Sequence, residues 1–319
     1  MRAAWLLALL LLVGCSSSSL PPRSTTTPPA PSPSASPTLG PVGASLPPGQ
    51  IVFTSFRDGA DQIYVMNSDG GSQRRVSTGE GFDVSPVWSP DRTKIAFASN
   101  RDGDWDIYIM NADGSGLYKL TDNPRDDESP SWSPDGEQIA YATLWNDPAL
   151  GPSRVNLNWD IVVSDLLGAN TIKLTSDPSK DSQPAWSPDG SKLLFNSMRA
   201  DGYQIFVMNA DGSEQRPLTT HQIYAADAVW SPDGTQIAFA SDMGLNEDIY
   251  VMDADGTNIR QLTKNAAYDR KPTWSPDGRY IVFQQHIGAS YHLYRMRADG
   301  SELVKLSTTS DHDRAPDWR

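Results

Sequence analysis

The chain of 319 residues contains a single cysteine, Cys15, so a disulfide within the chain is excluded and thiol catalysis has no candidate in the rest of the chain. Acidic residues are absent before position 50, and the apolar run at residues 3–13 is too short to span a bilayer comfortably. The sequence also lacks a Gly-x-Ser-x-Gly elbow, a Walker loop and a metalloprotease helix. We therefore expect neither an enzyme nor a cofactor.

The first 50 residues differ in composition from the rest of the chain. Arg2 and the apolar run precede residues 12–15, Leu-Val-Gly-Cys, which resemble the lipobox of bacterial lipoproteins. This resemblance implies a signal peptide over residues 1–14 and lipidation of Cys15, with a plain signal peptide or a short anchor as the alternatives. Residues 16–49 are mostly Ser, Thr, Pro, Ala and Gly, so we expect residues 15–50 to form a disordered tether.

Residues 51–319 hold all 39 acidic residues and 24 of the 26 basic ones, which gives this part a formal net charge of −15. Nucleic acid is therefore not expected as a partner, because phosphate backbones are bound by clustered Lys and Arg. Solubility accounts for the charge without any ligand, although cations and basic proteins are compatible with it. We expect residues 51–319 to form one monomeric domain.

A Trp-centred motif recurs along this domain. Trp-Ser-Pro-Asp-Gly begins at residues 132, 186, 230 and 274, Trp88 begins a copy with Arg92 in place of the Gly, and Trp318 begins a sixth copy. Successive Trp residues lie 44, 54, 44, 44 and 44 positions apart. A fixed period of this length indicates a repeat architecture.

Each repeat predicts four short β-strands. The Trp ends the first strand, and in the second repeat the others fall near residues 95–97 (Ile-Ala-Phe), 107–110 (Ile-Tyr-Ile-Met) and 120–121 (Leu-Thr). Pro-Asp-Gly and Asp-Gly segments between strands are typical of tight turns, in which Gly takes the left-handed conformation. Because Arg92 stands at such a Gly position, its turn should be strained.

The two ends of the chain complement each other. The first repeat starts at its second strand, residues 51–53, and the last repeat ends after its first strand, at Trp318. We therefore predict an all-β fold, a six-bladed β-propeller of four-stranded blades that is closed by pairing of the C-terminal strand with the N-terminal blade. A linear solenoid would need capping repeats, which the sequence does not provide.

The repeat I-x-F-x-S-x-R-D-G … I-Y-V-M-N-x-D-G-S … L-T … P-x-W-S-P-D-G resembles that of the TolB-type propeller family over residues 51–319. The resemblance implies a propeller whose channel mouth is a docking place for a partner protein. The protein that gives the family its name belongs to the Tol–Pal envelope system and carries an α/β domain before its propeller. This chain has the Ser/Thr/Pro-rich segment in that place.

Propeller geometry places the tight turns on one face and the irregular connections, after strands two and four, on the other, where binding residues are expected. Five of the six repeats have an Asp five residues before the Trp; the exception has Ala225 there, with an Asp two residues later. We expect these carboxylates to surround the channel mouth, either bonding to loop backbone or forming a socket for a cation or basic peptide. They are Asp83, Asp127, Asp181, Asp227, Asp269 and Asp313.

The third repeat carries a ten-residue insertion between residues 144 and 158. Trp145 and Arg154 lie in the insertion, Trp159 follows it, and Trp105 is another Trp outside the repeat position. If exposed, these side chains would stack on a sugar or take a peptide side chain; the alternative is that the insertion packs on its own blade.

Three histidines, His286, His292 and His312, fall near the irregular face and are the candidates for a metal site. They show neither a His-x-His nor a His-x-x-x-His pattern, so we predict no metal site and expect scattered surface histidines instead.

The recurring Arg in Ser-x-Arg, present as Arg57, Arg101 and Arg199, is expected to be structural. We expect it to pair with an Asp at the start of strand three, such as Asp106, or with one in a neighbouring blade's loop.

These features predict an exported bacterial lipoprotein, in the inner or outer membrane, whose propeller lies outside the cytoplasm and binds a protein or peptide of the cell envelope without catalysis. Two alternatives stay open: a carbohydrate binder or metal-dependent polysaccharide lyase that uses the sixth repeat and the insertion, and a scaffold in an envelope complex. Sugar binding predicts exposed tryptophans beside a deep pocket, whereas peptide binding predicts an open acidic channel mouth.

Overall fold

The computed structural model describes residues 49–146, 157–200, 202–220, 224–244, 246–307 and 312–319. The expected signal peptide, the lipidation site Cys15, most of the tether and Arg154 lie outside these residues. Within them the secondary structure consists of β-strands, and no helix is long and apolar enough to cross a membrane.

The strands of the first half of the chain are short and evenly spaced. They are β1 (Gln50–Ser55), β2 (Gln62–Asn67), β3 (Arg74–Arg75), β4 (Asp83–Trp88), β5 (Lys94–Ser99), β6 (Asp106–Asn111), β7 (Tyr118–Lys119), β8 (Asp127–Trp132), β9 (Gln138–Asn146), β10 (Leu157–Asp165) and β11 (Thr171–Lys173). In this half the longest strands are β9 and β10, which flank the insertion of the third repeat and are nine residues long.

The second half repeats the same pattern. Its strands are β12 (Asp181–Trp186), β13 (Lys192–Ala200), β14 (Gly202–Asn209), β15 (Arg216–Pro217), β16 (Ala225–Trp230), β17 (Gln236–Ser241), β18 (Asp248–Asp253), β19 (Arg260–Gln261), β20 (Tyr268–Trp274), β21 (Tyr280–Ile287), β22 (Ser290–Arg297), β23 (Val304–Lys305) and β24 (Asp313–Trp318).

These strands form six antiparallel sheets of four strands, called blades one to six below. Blade one has the order β24-β1-β2-β3, and each later blade takes four consecutive strands. Ile51 lies opposite Trp318, and the Gln50 amide donates to the Arg319 carbonyl at 2.9 Å. The predicted six-bladed propeller and its closure by the C-terminal strand are both confirmed.

Blades pack face to face, which explains why the middle of the second and third strands is apolar at consecutive positions rather than at alternate ones. In β1, Ile51 and Phe53 pack against blade six, whereas Val52 packs against blade two. Because both sheet faces are buried, each strand contributes to two of the core clusters that lie between neighbouring blades.

The first strand of every blade contains a β-bulge three residues before its Trp, where pairing with the second strand shifts. The bulged residue has a left-handed backbone although none of the six is Gly: Ser85, Ser129, Gln183, Asp227, Lys271 and Ala315. These residues and the following ones line a central cavity of about 130 Å³. The first strands are therefore the inner edge strands of a channel, where bulges and Pro are tolerated.

The predicted strain at Arg92 is present. Its φ is +62°, close to the +73° of Gly136 at the same turn position in blade three. A left-handed backbone costs a residue with a Cβ about 1–2 kcal/mol, so blade two has the least favourable of these turns.

Candidate functional site

One end of the propeller collects the irregular connections and is called the loop face. In each antiparallel blade the first and third strands start at this end, and the second and fourth strands end there. The opposite end carries the Ser-Pro-Asp-Gly turns, in which the Asp accepts from Ser or Thr neighbours, and is called the tight-turn face. The division expected from the sequence is confirmed.

Exposed apolar side chains concentrate on the loop face. Of nine large apolar or aromatic side chains that are exposed among the described residues, five lie there: Phe56, Phe82, Met198, Tyr268 and Ile287. The others lie on outer strands or turns of blades two and three: Leu117, Tyr118, Leu167 and Ile172. Exposed groups of aromatic and apolar side chains mark interaction surfaces.

An arc of aromatic rings runs over blades six and one and is called the aromatic arc. Its members, in spatial order, are Tyr268, His286, Tyr291, His312 and Phe56. Successive ring centroids lie 6.2, 4.5, 5.9 and 6.1 Å apart, and the closest pair, His286 and Tyr291, is stacked at 17°. The arc therefore presents an unbroken aromatic surface at one side of the channel mouth.

The carboxylates expected to form an open ring at the channel mouth are instead buried beneath it. Asp83 shows how: its Oδ1 accepts from Arg101 Nη2 at 2.8 Å, and the Arg101 Nε donates to Ser99 at 2.9 Å. The guanidinium also lies over the rings of Phe97 and Tyr108, at 5.6 and 4.8 Å from their centroids. This Arg clamp makes the carboxylate part of the blade core.

Two more blades contain the same clamp. Arg57 binds Asp313 at 2.9 Å, and Arg199 binds Asp181 at 2.6 Å. The structural role expected of these arginines is present, but the expected pairing with the Asp at the start of strand three is wrong, because Asp106 binds Lys119 at 2.8 Å instead. Burial of the clamped Asp side chains leaves no acidic socket for a basic peptide at these positions.

Blades three and six keep the Asp but lack the Arg. Asp127 accepts from Asn123 Nδ2 at 2.7 Å, and Asp269 accepts from Asn265 Nδ2 at the same distance. Burial raises the pKa of each carboxyl to about 6. Without a cationic partner, desolvation outweighs the hydrogen bonds that these two carboxylates accept.

Asp227 does not replace the Asp that is missing at Ala225, contrary to the expectation from the sequence. It occupies the left-handed bulge position and binds Lys271, the bulge residue of the next blade, at 2.9 Å. Burial acts to raise its pKa, but the Lys271 ammonium holds the pKa of Asp227 below its usual value. The pair is an internal bridge between blades five and six in the channel wall.

The tryptophans predicted as binding residues are less exposed than expected. Trp105 and Trp159 are half-buried and pack against the cores beside blade three, and Lys180 lies 5.1 Å from the Trp159 ring centroid. Trp145 lies in β9 opposite Asn158 at the base of the insertion, and its side chain is outside the described structure.

The candidate metal ligands do not come together. His286 and His312 belong to the aromatic arc, whereas His292 is buried in β22 and burial lowers its pKa. No group of three or more His, Cys, Asp or Glu among the described residues is arranged to hold a metal ion.

The residues that sequence reasoning missed are Tyr268, Tyr291, Phe56 and Phe82. Two signals were available. First, an aromatic residue precedes the recurring Asp in three repeats, as Phe82, Tyr268 and His312. Second, the sixth repeat has Gln-His-Ile-Gly at residues 285–288 where the early repeats have the Ser-x-Arg-Asp-Gly loop. A departure from the repeat is informative, because residues that are needed only to build a blade recur in every blade.

Comparison with known proteins agrees with this description. A sequence profile of the TolB beta propeller domain matches residues 32–147 and 153–319. The Tol-Pal system protein TolB of Anaeromyxobacter sp. (strain K) is 33% identical over 64 residues, which are 20% of this chain and 15% of that protein. The chain thus spans only a small part of its curated relatives.

Among solved structures, TolB from Acinetobacter baumannii has a TM-score of 0.74 and 24% identity, over 85% of this chain and 66% of that one. Oligogalacturonate lyase from Vibrio parahaemolyticus has a TM-score of 0.57 and 16% identity, over 80% and 73%. Both likenesses are evidence of a shared fold.

The closed ring of four-stranded blades, built from one repeat and carrying an aromatic loop face, defines a repeat-type β-propeller. Since the profile matches most of its length, the chain belongs to the TolB β-propeller family.

Proposed function

We propose that this protein is an exported lipoprotein whose propeller binds a protein or peptide of the cell envelope through the loop face, without catalysing a reaction. Family membership supports an envelope binding role. The observation that carries the proposal is the clustering of exposed Phe, Tyr, Met and Ile side chains on the loop face. Aromatic and Met side chains are the residues most enriched in protein interfaces.

The proposal differs from the acidic socket expected from the sequence. The recurring Asp side chains are buried, and two further charge pairs, Arg314 with Asp61 and Arg270 with Glu247, lie on the loop face. Recognition by this face therefore depends on aromatic and apolar contacts, with paired charges at its margin, rather than on net negative charge.

Photo-crosslinking in native membranes tests the binding face. A benzophenone amino acid at Phe56 or Phe82 of the full-length protein should give adducts with one envelope protein. The same probe at Leu167, which is 88% exposed and lies in the β10–β11 turn of the tight-turn face, is the matched apolar control. Equal adducts from both faces, or none from the loop face, would refute the proposal.

Alanine substitution should agree with the crosslinks. Phe56→Ala with Phe82→Ala should weaken capture of that partner by about tenfold or more, as expected when two interface aromatics are truncated. Leu167→Ala should leave capture unchanged.

The lipid anchor has its own test. Cys15→Ser should move the protein from the membrane fraction to the soluble exported fraction, because the expected thioether is lost. Ser19→Ala is the control that leaves the fractionation unchanged. Mass spectrometry of the mature N-terminal peptide should show acyl chains on Cys15; an unmodified cysteine would contradict lipidation.

A further inference from the structure

At its loop-face end, blade six differs from blades one, two and five. In blade one, residues 56–61 connect β1 and β2, whereas in blade six β21 and β22 are two residues longer and meet at Gly288 and Ala289. Gly288 has a φ of +64°, as such a tight hairpin requires. The extension raises the cross-strand pair His286 and Tyr291 above the level where the second strands of blades one, two and five end.

Register places this pair beside a third ring. Tyr268 lies opposite His286, which lies opposite Tyr291, so three neighbouring strands contribute one row of rings. Two residues further along the same strands, Arg270 lies opposite Gln284. These five side chains line a pocket of about 200 Å³.

The pocket contains hydrogen-bonding groups that the protein does not use. Within the described part of the chain, the hydroxyls of Tyr268 and Tyr291 and the imidazole of His286 make no side-chain hydrogen bond. Gln284 Oε1 accepts from the Ala315 amide at 2.9 Å, and its NH₂ group has no partner among the same residues. By contrast, the hydroxyl of Tyr64 in blade one is bonded to Asp58.

The pocket carries no uncompensated charge. Arg270 donates through Nε and Nη2 to both carboxylate oxygens of Glu247, and its guanidinium lies 5.2 Å from the Tyr224 ring centroid. An anionic ligand would have to compete with Glu247 for this cation. The lining instead combines aromatic faces with hydrogen-bond donors and acceptors that are either uncharged or, like Arg270, paired with an opposite charge.

We propose that this pocket binds a neutral pyranose sugar, as a terminal residue or as part of a short oligosaccharide. One apolar C–H face of the ring stacks on the row of rings, as aromatic side chains accept C–H groups. The sugar hydroxyls bond to the Gln284 amide, the two Tyr hydroxyls and His286, which are mixed donors and acceptors. A peptide side chain such as Phe would leave these groups without partners.

This ligand goes beyond the proposed protein partner and is tested separately. Saturation-transfer NMR on the full-length protein in detergent, with cellohexaose, chitohexaose and mannohexaose as neutral probes and hexagalacturonate as the acidic probe, should show transfer to at least one neutral probe. Absence of transfer from every neutral probe up to about 10 mM, or a preference for hexagalacturonate, would overturn the proposal.

Substitutions locate the binding in the pocket. Tyr268→Ala and Tyr291→Ala should each weaken binding of the neutral probe by about tenfold or more, while Tyr268→Phe should cost a few-fold, because it keeps the ring and removes only the hydroxyl. Tyr118→Ala, at an exposed tyrosine on an outer strand, is the matched control and should have no effect.

The same variants separate this proposal from the protein-binding one. If Tyr268→Ala abolishes crosslinking of the envelope partner at Phe82 and no sugar binds, the pocket belongs to the protein interface and the sugar proposal is wrong. If sugar binding is lost in Tyr268→Ala and crosslinking persists, the pocket is a separate saccharide site.

Discussion

Arg101→Met should destabilise the propeller by about 3–5 kcal/mol and lower its melting temperature by roughly 5–10 °C, because it leaves the buried carboxylate of Asp83 without its cation. The Asp83 side chain is 2% exposed and that of Arg101 12%. Loss of the guanidinium also removes its contacts with two aromatic rings and with Ser99. The measurement is thermal and denaturant unfolding followed by circular dichroism.

Blade five provides the compensating change. At the positions of Asp83 and Arg101 it has Ala225 and Met243, and Met243 packs against the cluster that contains Ala225. The double variant Asp83→Ala with Arg101→Met copies this apolar pair into blade two. It should recover more than half of the lost stability, since a buried ion pair replaced by apolar side chains costs far less than one broken by removing a single partner.

An exposed arginine provides the control. Arg74→Met should change stability by no more than about 0.5 kcal/mol, because Arg74 is exposed and its guanidinium makes a single 3.4 Å hydrogen bond within the described part of the chain, to the Ala112 carbonyl. Asp83→Ala alone completes the comparison. If the double variant loses as much stability as Asp83→Ala and Arg101→Met added together, the clamp does not act as a unit.

The fold was predictable from the sequence because every blade of the propeller is encoded by the same sequence repeat. Six copies of the Trp strand set the number of blades, and the missing first strand at Ile51 together with the surplus strand at Trp318 gave the closure. Periodicity reports which residues recur, however, and not which way their side chains face. The recurring Asp therefore predicts a ring at the channel mouth, whereas in the structure it is a buried partner of Arg or Asn.

The candidate site was harder to predict for a related reason. Tyr268 and Tyr291 are 23 residues apart in sequence and come together only through the register of β20, β21 and β22. That register extends to the tight hairpin at Gly288 and Ala289, where blades one, two and five have six-residue connections. Functional residues in a repeat protein depart from the consensus, so alignment of the repeats reveals candidates but not their grouping.

The buried Asp127 should make the propeller less stable as pH rises from 4.5 to 8. Its carboxyl has a pKa of about 6 in the folded protein, raised by burial, against an ordinary value of 3.8. Between these values the folded state binds more protons than the unfolded one, so the stability contributed by the protonated group is complete below the unfolded pKa and is lost as pH rises through 6.

Asp127→Asn isolates this effect, because the amide keeps an oxygen for the Asn123 donor and cannot ionise. The free energy of unfolding of the variant relative to wild type should rise by roughly 2 kcal/mol between pH 4.5 and pH 8. Asp313→Asn is the contrast: it leaves the Arg57 guanidinium without its carboxylate, so it should destabilise the protein at both pH values. If the difference in unfolding free energy between Asp127→Asn and wild type did not change with pH, hydrogen bonds would already offset the cost of burying the Asp127 carboxylate. In that case Asn123 would stabilise the buried carboxylate of blade three as well as Arg101 stabilises that of blade two.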